Sequence, residues 1–359
     1  MHSVRIVIFF WLSGALKNIN KVSSENNDSL PVKINIQKPA NLSDEDYVKQ
    51  TTDFWTDERL NAAIPVPIIE KNPLPTVENS TDTITFNKNE RPTLVQGTLP
   101  ASSIMSRRAG YPNTVGKVYF VDRSSLYSCS ASVVTADNKD LIFTAGHCIY
   151  STTNYAFVTN FIFIPQYHNN TRPYGTWVAR SLYAISSWTS YLDLNYDVAI
   201  VLLYTSSGQH IQDIVGSQAV GFNYGHSATV YSFGYPINYA NTEIMTYCTN
   251  TKYFPSYSNY TGDAVSCTMN QGCSGGPWFQ SFTFSSLSGI QTSVNSFIRT
   301  ATPNVMYGPY FGSTVLSLYN RAKVDSGTTS SAAPHYIFSG IYLLLFGLLQ
   351  KFFQSLYLN

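Results

Sequence analysis

Short apolar runs separated by turn residues dominate the chain from Tyr111 onward. Each run is rich in β-branched and aromatic residues and is shorter than an ordinary helix, so each predicts a β-strand. The predicted strands are 116–121, 127–134, 141–144, 156–164, 177–182, 198–203, 228–233 and 289–294. Their spacing is typical of an all-β sandwich or barrel, and no internal repeat indicates a propeller or solenoid. Apolar residues at helical spacing between Phe311 and Ala322 predict one closing helix.

The pattern is different between residues 16 and 108. No stretch there keeps a strand or helix period for long, polar residues are frequent and prolines recur. The segment ends in Arg107-Arg108, a dibasic pair of the kind that processing proteases cut. We therefore interpret 16–108 as a propeptide or disordered leader and expect a processing protease to act on it.

Residues 1–15 have the features of a secretory signal peptide. His2 and Arg5 precede the apolar run Ile6–Leu12, and Ser13-Gly14-Ala15 offers small residues for cleavage. Glycosylation sequons agree with secretion. They lie at Asn27, Asn41, Asn79, Asn169 and Asn259. The chain is thus predicted to be a secreted glycoprotein, or one on the extracellular face of the plasma membrane.

The C-terminal residues 325–359 form a small, polar spacer followed by an apolar tail. The uncharged run Tyr336–Leu349 is shorter than the ~20 residues that span a bilayer as a helix. Small residues, a polar spacer and an apolar tail favour a lipid-anchor signal. A transmembrane anchor ranks second and a packed C-terminal helix third, while Lys351 counts against the lipid-anchor interpretation.

Composition narrows the class of protein. Charged residues make up only 12% of the 359 residues and the formal net charge is +1. No basic stripe is available to neutralise phosphates, which argues against a nucleic-acid partner. The abundance of Tyr (26) and Phe (21) favours half-buried strands, in agreement with a mostly β protein.

The chain has five cysteines, an odd number for an exported protein. They are Cys129, Cys148, Cys248, Cys267 and Cys273. An oxidising compartment favours disulfides, and the count leaves one thiol unpaired or paired between chains. Several pairings are open at this point.

Candidate chemistry is concentrated in Gly272-Cys273-Ser274-Gly275-Gly276-Pro277. A serine flanked by glycines can occupy a tight turn with its Oγ exposed, and the glycines let a substrate carbonyl approach the backbone. The N–H groups of Gly272 and Ser274 would then converge on the developing oxyanion. Ser274 is therefore the candidate nucleophile, and an ordinary Gly-rich turn is the less favoured interpretation.

A nucleophilic hydroxyl needs a base and a group that orients that base. His147 follows a predicted buried strand, with small neighbours that leave room for an imidazole facing a cleft. The adjacent Cys148 can bridge to Cys129, which would tie this turn to the preceding strand.

Asp197 lies at the mouth of an apolar strand, where it would be poorly solvated without a partner. Accepting the Nδ1–H of His147 would supply that partner and fix the tautomer. Asp193 is the rival, but the strand follows Asp197 directly, whereas Leu194, Asn195 and Tyr196 intervene after Asp193. Asp197 could alternatively be a turn residue at the strand end.

The order of these residues along the chain is His147, Asp197, Ser274, unlike Ser-first α/β hydrolases or Asp-first subtilisin-like enzymes. In this order, the chain resembles the trypsin-like (chymotrypsin-fold) serine peptidases, closest to their glutamyl-endopeptidase-like and bacterial-type branch. The segments that carry the resemblance are Thr144–Cys148, Asp197–Leu203, Gly272–Pro277, Pro173–Trp177, Phe233–Pro236, Cys267–Met269 and Met306–Tyr310.

The resemblance covers roughly residues 111–322 and defines a predicted peptidase domain over 109–324. It implies an all-β fold of two antiparallel six-stranded β-barrels with the site between them, plus the C-terminal helix. It also implies a Cys248–Cys267 bridge, with Cys273 as the odd thiol. The expected activity is hydrolysis of protein or peptide substrates through an acyl-enzyme, without cofactor or metal.

The chain departs from the family pattern at positions that set activation and specificity. Cys273 stands where the animal digestive branch has the aspartate that receives the new N-terminus, so the same activation switch is not expected. Thr268 stands where an aspartate would read Arg or Lys, so strict trypsin-like cleavage is not expected either. Residues 291–295 contain no histidine of the kind that the Glu-specific branch uses.

Three other classes of protein fit the sequence less well. A cysteine peptidase using Cys273 conflicts with the glycine frame, which fits Ser274 with Gly272 and Gly275. An inactive homologue acting as an extracellular binding module is the main alternative function, although such proteins usually lose a triad member. A metal-dependent hydrolase lacks an H-E-x-x-H or a close His/Cys ligand set.

Overall fold

The computed structural model describes residues 30–36, 38–39, 41–67, 90–98, 110–257 and 259–327. The strands are β1 (Pro31–Asn35), β2 (Ile64–Pro65), β3 (Thr93–Val95), β4 (Val115–Asp122), β5 (Ser125–Val133), β6 (Leu141–Thr144), β7 (Tyr150–Ser151), β8 (Ala156–Phe157), β9 (Thr159–Pro165), β10 (Trp177–Ile185), β11 (Ala199–Leu203), β12 (Ala219–Phe222), β13 (Ala228–Gly234), β14 (Thr246–Lys252), β15 (Asp263–Ser266), β16 (Pro277–Thr283), β17 (Ser288–Val294), β18 (Phe297–Arg299) and β19 (Thr302–Gly308). The α-helices are α1 (Asp44–Phe54), α2 (Asp57–Ala62), α3 (Ser186–Tyr191), α4 (Ile211–Val215) and α5 (Ser313–Ala322). The prediction of a mostly β protein with a closing helix is confirmed.

The first half of the peptidase domain is a closed barrel. Six antiparallel strands follow the order β10-β11-β6-β5-β4-β9, and β9 returns to β10 through the pairs Phe163–Trp177 and Ile162–Val178. Closure leaves these strands with no free edge within the barrel.

Strand β11 is apolar at every position because both of its faces are buried. Successive side chains of a strand point to opposite faces. One set of side chains packs inside the barrel, namely Ala199, Val201 and Leu203. The alternating set packs with α5 and the second half, namely Val198, Ile200 and Leu202. Both faces are buried, which places the N-terminal end of β11 deep between the two halves.

The second half contains a six-stranded sheet, in the order β14-β13-β16-β17-β12-β3, and a three-stranded sheet, β15-β19-β18. It differs in detail from a closed antiparallel barrel, because β12 and β17 pair in parallel. The chain also leaves the sheet between β17 and β18. There the backbone of Asn295 bonds to Gly275 and Gly276 at 2.8 Å rather than to a neighbouring strand.

The described residues between 31 and 66 form two short strands and two helices. Strand β1 pairs antiparallel with β10 from Pro31–Ile185 to Asn35–Ser181. Helices α1 and α2 begin at capping side chains, where Ser43 Oγ accepts from Asp46 N at 3.0 Å and Thr56 performs the same role. Each element is short, so its apolar residues never build up a visible period. The propeptide interpretation stays a prediction.

Several sequence features lie outside the described residues. These are the signal-peptide segment 1–15, the dibasic pair 107–108, the tail 328–359 and the sequon residues Asn27 and Asn79. The other three sequon asparagines (Asn41, Asn169 and Asn259) are exposed. Among the residues described, none of the helices combines the length and apolar character needed to cross a membrane.

Candidate active site

His147 is held at the end of strand β6 in a short 3-10 turn, Gly146–Cys148. A disulfide joins Cys148 to Cys129 on β5. A Cβ at Gly146 would lie 2.8 Å from the Trp188 ring and 3.0 Å from Asp197 Oδ1. The glycine therefore lets the turn approach the aspartate closely.

Asp197 is almost fully buried and binds His147 through both carboxylate oxygens. Oδ1 accepts from the His147 backbone N at 2.8 Å, and Oδ2 lies 2.8 Å from His147 Nδ1. Oδ2 also accepts from Ser296 Oγ. Hydrogen bonds of this kind compensate a carboxylate for the loss of water.

The rival carboxylate, Asp193, has a different role. Its side chain caps the short turn Leu194–Tyr196 by accepting from Asn195 N at 2.9 Å. Burial raises the pKa of Asp193, while the bond from Asn195 partly opposes this. The hydrogen bonds thus distinguish the two aspartates. Asp197 binds His147, whereas Asp193 caps a turn.

The turn around Ser274 depends on two glycines with left-handed backbone, Gly272 (φ +95°) and Gly275 (φ +78°). A Cβ at Gly272 would lie 2.5 Å from the Tyr235 carbonyl oxygen, and one at Gly275 would overlap Thr144 Oγ1. Both space and conformation therefore require glycine here. Because Gly275 packs against Thr144, the turn lies beside the end of β6, three residues before His147.

Strand β5 of the first barrel holds the same turn. Ser130 N donates to the Ser274 carbonyl at 2.7 Å, and Ser130 Oγ donates to the Gly272 carbonyl at 2.9 Å. These bonds fix the carbonyl groups of Gly272 and Ser274. Within the described part of the chain, the N–H groups of Gly272 and Ser274 have no acceptor.

The candidate nucleophile and base are buried at the atoms that would react. Ser274 Oγ and His147 Nε2 each lack a hydrogen-bond partner among the described residues. Ser274 is 0% exposed, which corrects the expectation of an exposed Oγ. The two atoms are therefore not hydrogen-bonded to each other in this structure, and neither is held by another described side chain.

Asn295 is a site residue that the sequence did not reveal. Its Nδ2 donates to the carbonyls of Phe233 and Cys273, each at 3.0 Å. Its Oδ1 accepts from Ser232 Oγ at 2.6 Å and from Trp278 Nε1 at 2.7 Å. All four bonds are buried, so Asn295 fixes the backbone directly before the serine.

The sequence did not reveal Ser296, the next residue, either. Two polar residues after an apolar strand are common at strand ends, and no spacing rule singles them out. The informative signal is their burial, because Asn295 is 0% and Ser296 1% exposed.

Cys273 lies beneath the turn, in an apolar cluster with Met269 and Trp278. It is the free thiol, since Cys248 pairs with Cys267. Burial raises the pKa of the Cys273 thiol well above its usual range. A neutral, buried thiol is a poor nucleophile, which argues against the cysteine-peptidase alternative.

One group of side chains has metal-like spacing among the residues that the structure describes, namely Cys129, His147 and Cys148. Both of its sulfurs are joined in a disulfide and offer no thiolate. His147 Nδ1 already binds Asp197. The group does not fit a metal ion.

Comparison with solved structures relates the chain to bacterial proteases. Protease Anisep from Arthrobacter nicotinovorans is 39% identical, with a TM-score of 0.56, and the match covers 60% of this chain and 97% of that one. The thermostable serine protease AL20 from an extremophilic microorganism is 32% identical, with a TM-score of 0.55 and coverage of 59% and 97%. A Glu endopeptidase solved with MPD shares the fold at 16% identity, with a TM-score of 0.50 and coverage of 64% and 97%.

A curated relative, the extracellular metalloprotease of Bacillus subtilis (strain 168), is 31% identical over 184 residues. The match covers 46% of this chain and 55% of that protein, so the chain spans about half the length of this relative. A family model described as Trypsin matches residues 104–315, more than half of the chain. The chain therefore belongs to the trypsin family of serine endopeptidases.

Proposed function

We propose that this chain is a secreted serine endopeptidase in which Ser274 is the nucleophile, His147 the general base and Asp197 the residue that orients His147. The observation that supports this assignment best is the double hydrogen bond from His147 to Asp197. It holds the ring with Nδ1 facing the carboxylate and leaves Nε2 without a partner. An imidazole held in this way can accept a proton at Nε2 and become a cation stabilised by Asp197.

The reaction has two halves. Ser274 Oγ bonds to the scissile carbonyl carbon while His147 Nε2 takes the hydroxyl proton. The N–H groups of Gly272 and Ser274 stabilise the tetrahedral oxyanion. His147 returns the proton to the leaving amine as the C–N bond breaks, which leaves an acyl-enzyme. A water molecule that loses its proton to His147 then hydrolyses the ester and restores Ser274.

The name of the Bacillus subtilis relative raises metal catalysis as a competing chemistry. In this chain the group with metal-like spacing has its sulfurs in a disulfide. The proposed mechanism needs no Lewis acid, because two N–H donors stabilise the oxyanion.

Strict cleavage after Arg or Lys is not expected, because Thr268 carries no charge at the position where an aspartate would bind these side chains. Thr268 is exposed, and its hydroxyl lies 3.0 Å from that of Tyr239.

The proposed setting is extracellular. The two disulfides suit an oxidising compartment. The exposed asparagines Asn41, Asn169 and Asn259 can accept glycans. The signal peptide 1–15, processing at 107–108 and membrane attachment through 325–359 complete this proposal.

A fluorophosphonate probe tests the nucleophile. The processed protein, freed of its leader, should react at Ser274, shown by mass spectrometry of the labelled peptide, and Ser274→Ala should abolish labelling. Cys273→Ala is the matched control at the adjacent position and should keep it. Labelling lost in Cys273→Ala but kept in Ser274→Ala would move the nucleophile by one residue. A folded, leader-free protein that never reacts would instead favour the binding-module alternative.

A further inference from the structure

Strand β2 of the leader lies against the turn that carries the nucleophile. It pairs in parallel with β5 through Ile64–Tyr127 and Pro65–Ser128, and Val66 N donates to the Ser128 carbonyl at 3.1 Å. A Cβ at Gly272 would lie only 3.1 Å from Pro65 Cβ. Pro65 thus packs against Gly272, the residue whose N–H is a proposed oxyanion donor.

A substrate needs that same space. To accept a hydrogen bond from Gly272 N–H, a scissile carbonyl must approach the backbone of the turn from outside. The nucleophile is also out of reach of solvent, because Ser274 Oγ and His147 Nε2 are both buried in the chain that carries its leader. The described chain is therefore closed to substrate at the atoms that would react.

The leader is also anchored to the barrel through Trp55. Trp55 is 1% exposed, and its Nε1 donates to the Asn160 carbonyl on β9 at 2.7 Å. Arg172 holds the same point from the barrel side, donating to the Trp55 carbonyl at 3.0 Å and to Asp57 at 2.9 Å. A buried aromatic with a satisfied N–H and an arginine beside it is the kind of anchor that dominates protein interfaces.

Strand β1 adds a second point of attachment. It forms a five-residue antiparallel ladder with β10. Its ladder partners reach from Ser181 to Ile185, so β1, α1, α2 and β2 together extend along the barrel from β10 to β5. None of these contacts depends on the peptide bonds near residues 107–108. A cut there would leave every one of them in place.

We propose that residues 31–66 act as an inhibitory segment that binds the barrel surface formed by β5, β9 and β10. The segment stays bound to this surface after cleavage at Arg107-Arg108, and it competes with substrate at Gly272. The proposal rests on the proposed function, since competition requires that Gly272 binds the scissile carbonyl. Release of the segment, rather than the first cut alone, is then the step that exposes Ser274.

The test starts from the full chain with Arg107-Arg108 replaced by the recognition sequence of an unrelated, sequence-specific protease. After cutting, gel filtration should show residues 31–66 eluting with the peptidase domain. Hydrolysis of a peptide substrate should stay low and rise at least tenfold when the segment is washed away, mainly through a lower KM. Immediate dissociation after the cut, or equal activity with and without the segment, would overturn the proposal.

Two variants separate anchoring from general effects on the leader. Trp55→Ala should weaken the hold of the segment on the barrel, so that more of it is removed by the same wash and activity rises toward the washed level, while β1 and β3 still pair with β10 and β12. Lys49→Ala is the matched control, because Lys49 is 77% exposed and pairs with Asp53 along α1. It should retain the segment and behave as wild type.

A synthetic peptide of residues 30–67 covers the case in which Trp55→Ala does not fold in the full chain. Added to the washed enzyme, it should inhibit competitively, and the same peptide with Trp55→Ala should inhibit at least tenfold more weakly. A peptide without effect counts against the proposal. Fluorophosphonate labelling of the washed enzyme keeps the two proposals apart: no reaction at Ser274 refutes the proposed function, whereas equal reaction with and without the segment refutes only the inhibitory role.

Discussion

The side-chain amide of Asn295 donates to the carbonyl oxygen of Cys273, the residue directly before Ser274, at 3.0 Å. A second bond from the same nitrogen reaches Phe233. The side chain of Cys273 packs in an apolar cluster. Asn295 and Ser130 therefore supply polar restraints on the turn, Asn295 at the carbonyl of Cys273 and Ser130 at those of Gly272 and Ser274.

Asn295→Asp should therefore lower kcat more than it raises KM. The new carboxylate cannot donate to the two carbonyls, and each buried group left unpaired costs about 1–3 kcal/mol. Displacing an oxyanion donor lowers kcat by about 100- to 1000-fold. Steady-state kinetics and urea unfolding measure both effects, with exposed Asn250→Asp as the control. A variant with full kcat would show that the turn holds its shape without this amide.

Asp197→Asn should reduce kcat by about 10⁴-fold at neutral pH, because an amide can donate to Nδ1 and stabilise the wrong tautomer of His147. Asp193→Asn is the matched control, four residues away, and should retain most of the activity because Asp193 caps a turn. Peptide hydrolysis by the two purified variants decides the assignment. Reversed effects would transfer the orienting role to Asp193.

Gly272→Ala should remove activity through a steric clash. Its Cβ would meet the Tyr235 carbonyl at 2.5 Å in a backbone with φ +95°. Gly175 has a similar φ of +77° but no atom within 4 Å of its ideal Cβ. Gly175→Ala should thus cost only the left-handed strain of about 1–2 kcal/mol, with activity kept. Comparable activity in the two variants would contradict the role of the Gly272 N–H.

The two disulfides form a natural pair for comparison, since each has a sequence separation of 19. Loop closure of this size predicts a similar loss of about 3 kcal/mol when either is replaced by two alanines. Only the Cys129–Cys148 bridge restrains the His147 turn, so its removal should lower kcat further. Thermal unfolding and kinetics of both double variants test this. Equal kcat would mean that the Asp197 bonds alone position His147.

Lys117 should give stability a measurable pH dependence. Burial lowers the pKa of Lys117 from 10.5 to about 8, with Glu243 opposing the shift. Between these values the unfolded chain holds the proton and the folded chain does not, so folded wild type gains stability as pH rises. The free energy of unfolding of wild type minus that of Lys117→Met should increase by up to about 1.4 kcal/mol per pH unit.

Urea unfolding from pH 7.5 to 10 measures this difference. Lys139→Met, at an exposed site, measures the effect of removing a surface lysine. A difference that stays constant over the range would contradict a buried lysine charge at neutral pH.

Sequence patterns were most informative where a local rule applies. The apolar run from Val198 to Leu203 predicted a buried strand, and β11 occupies it. Short elements escaped prediction because their stability comes from packing. Strands β1 and β2 have only five and two residues and exist because β10 and β5 offer partners.

The sequence by itself determined the fold class and the family, and it made His147, Asp197 and Ser274 the candidate catalytic residues, because glycine frames, strand patterns and chain order are local properties. Only the tertiary structure showed that Asp197 rather than Asp193 contacts His147, that Asn295 holds the turn and that Pro65 packs against Gly272. Asn295 and Cys273 are 22 residues apart in the chain, and Pro65 and Gly272 belong to distant segments. Contacts of this kind depend on how strands pair, and no local pattern records that pairing.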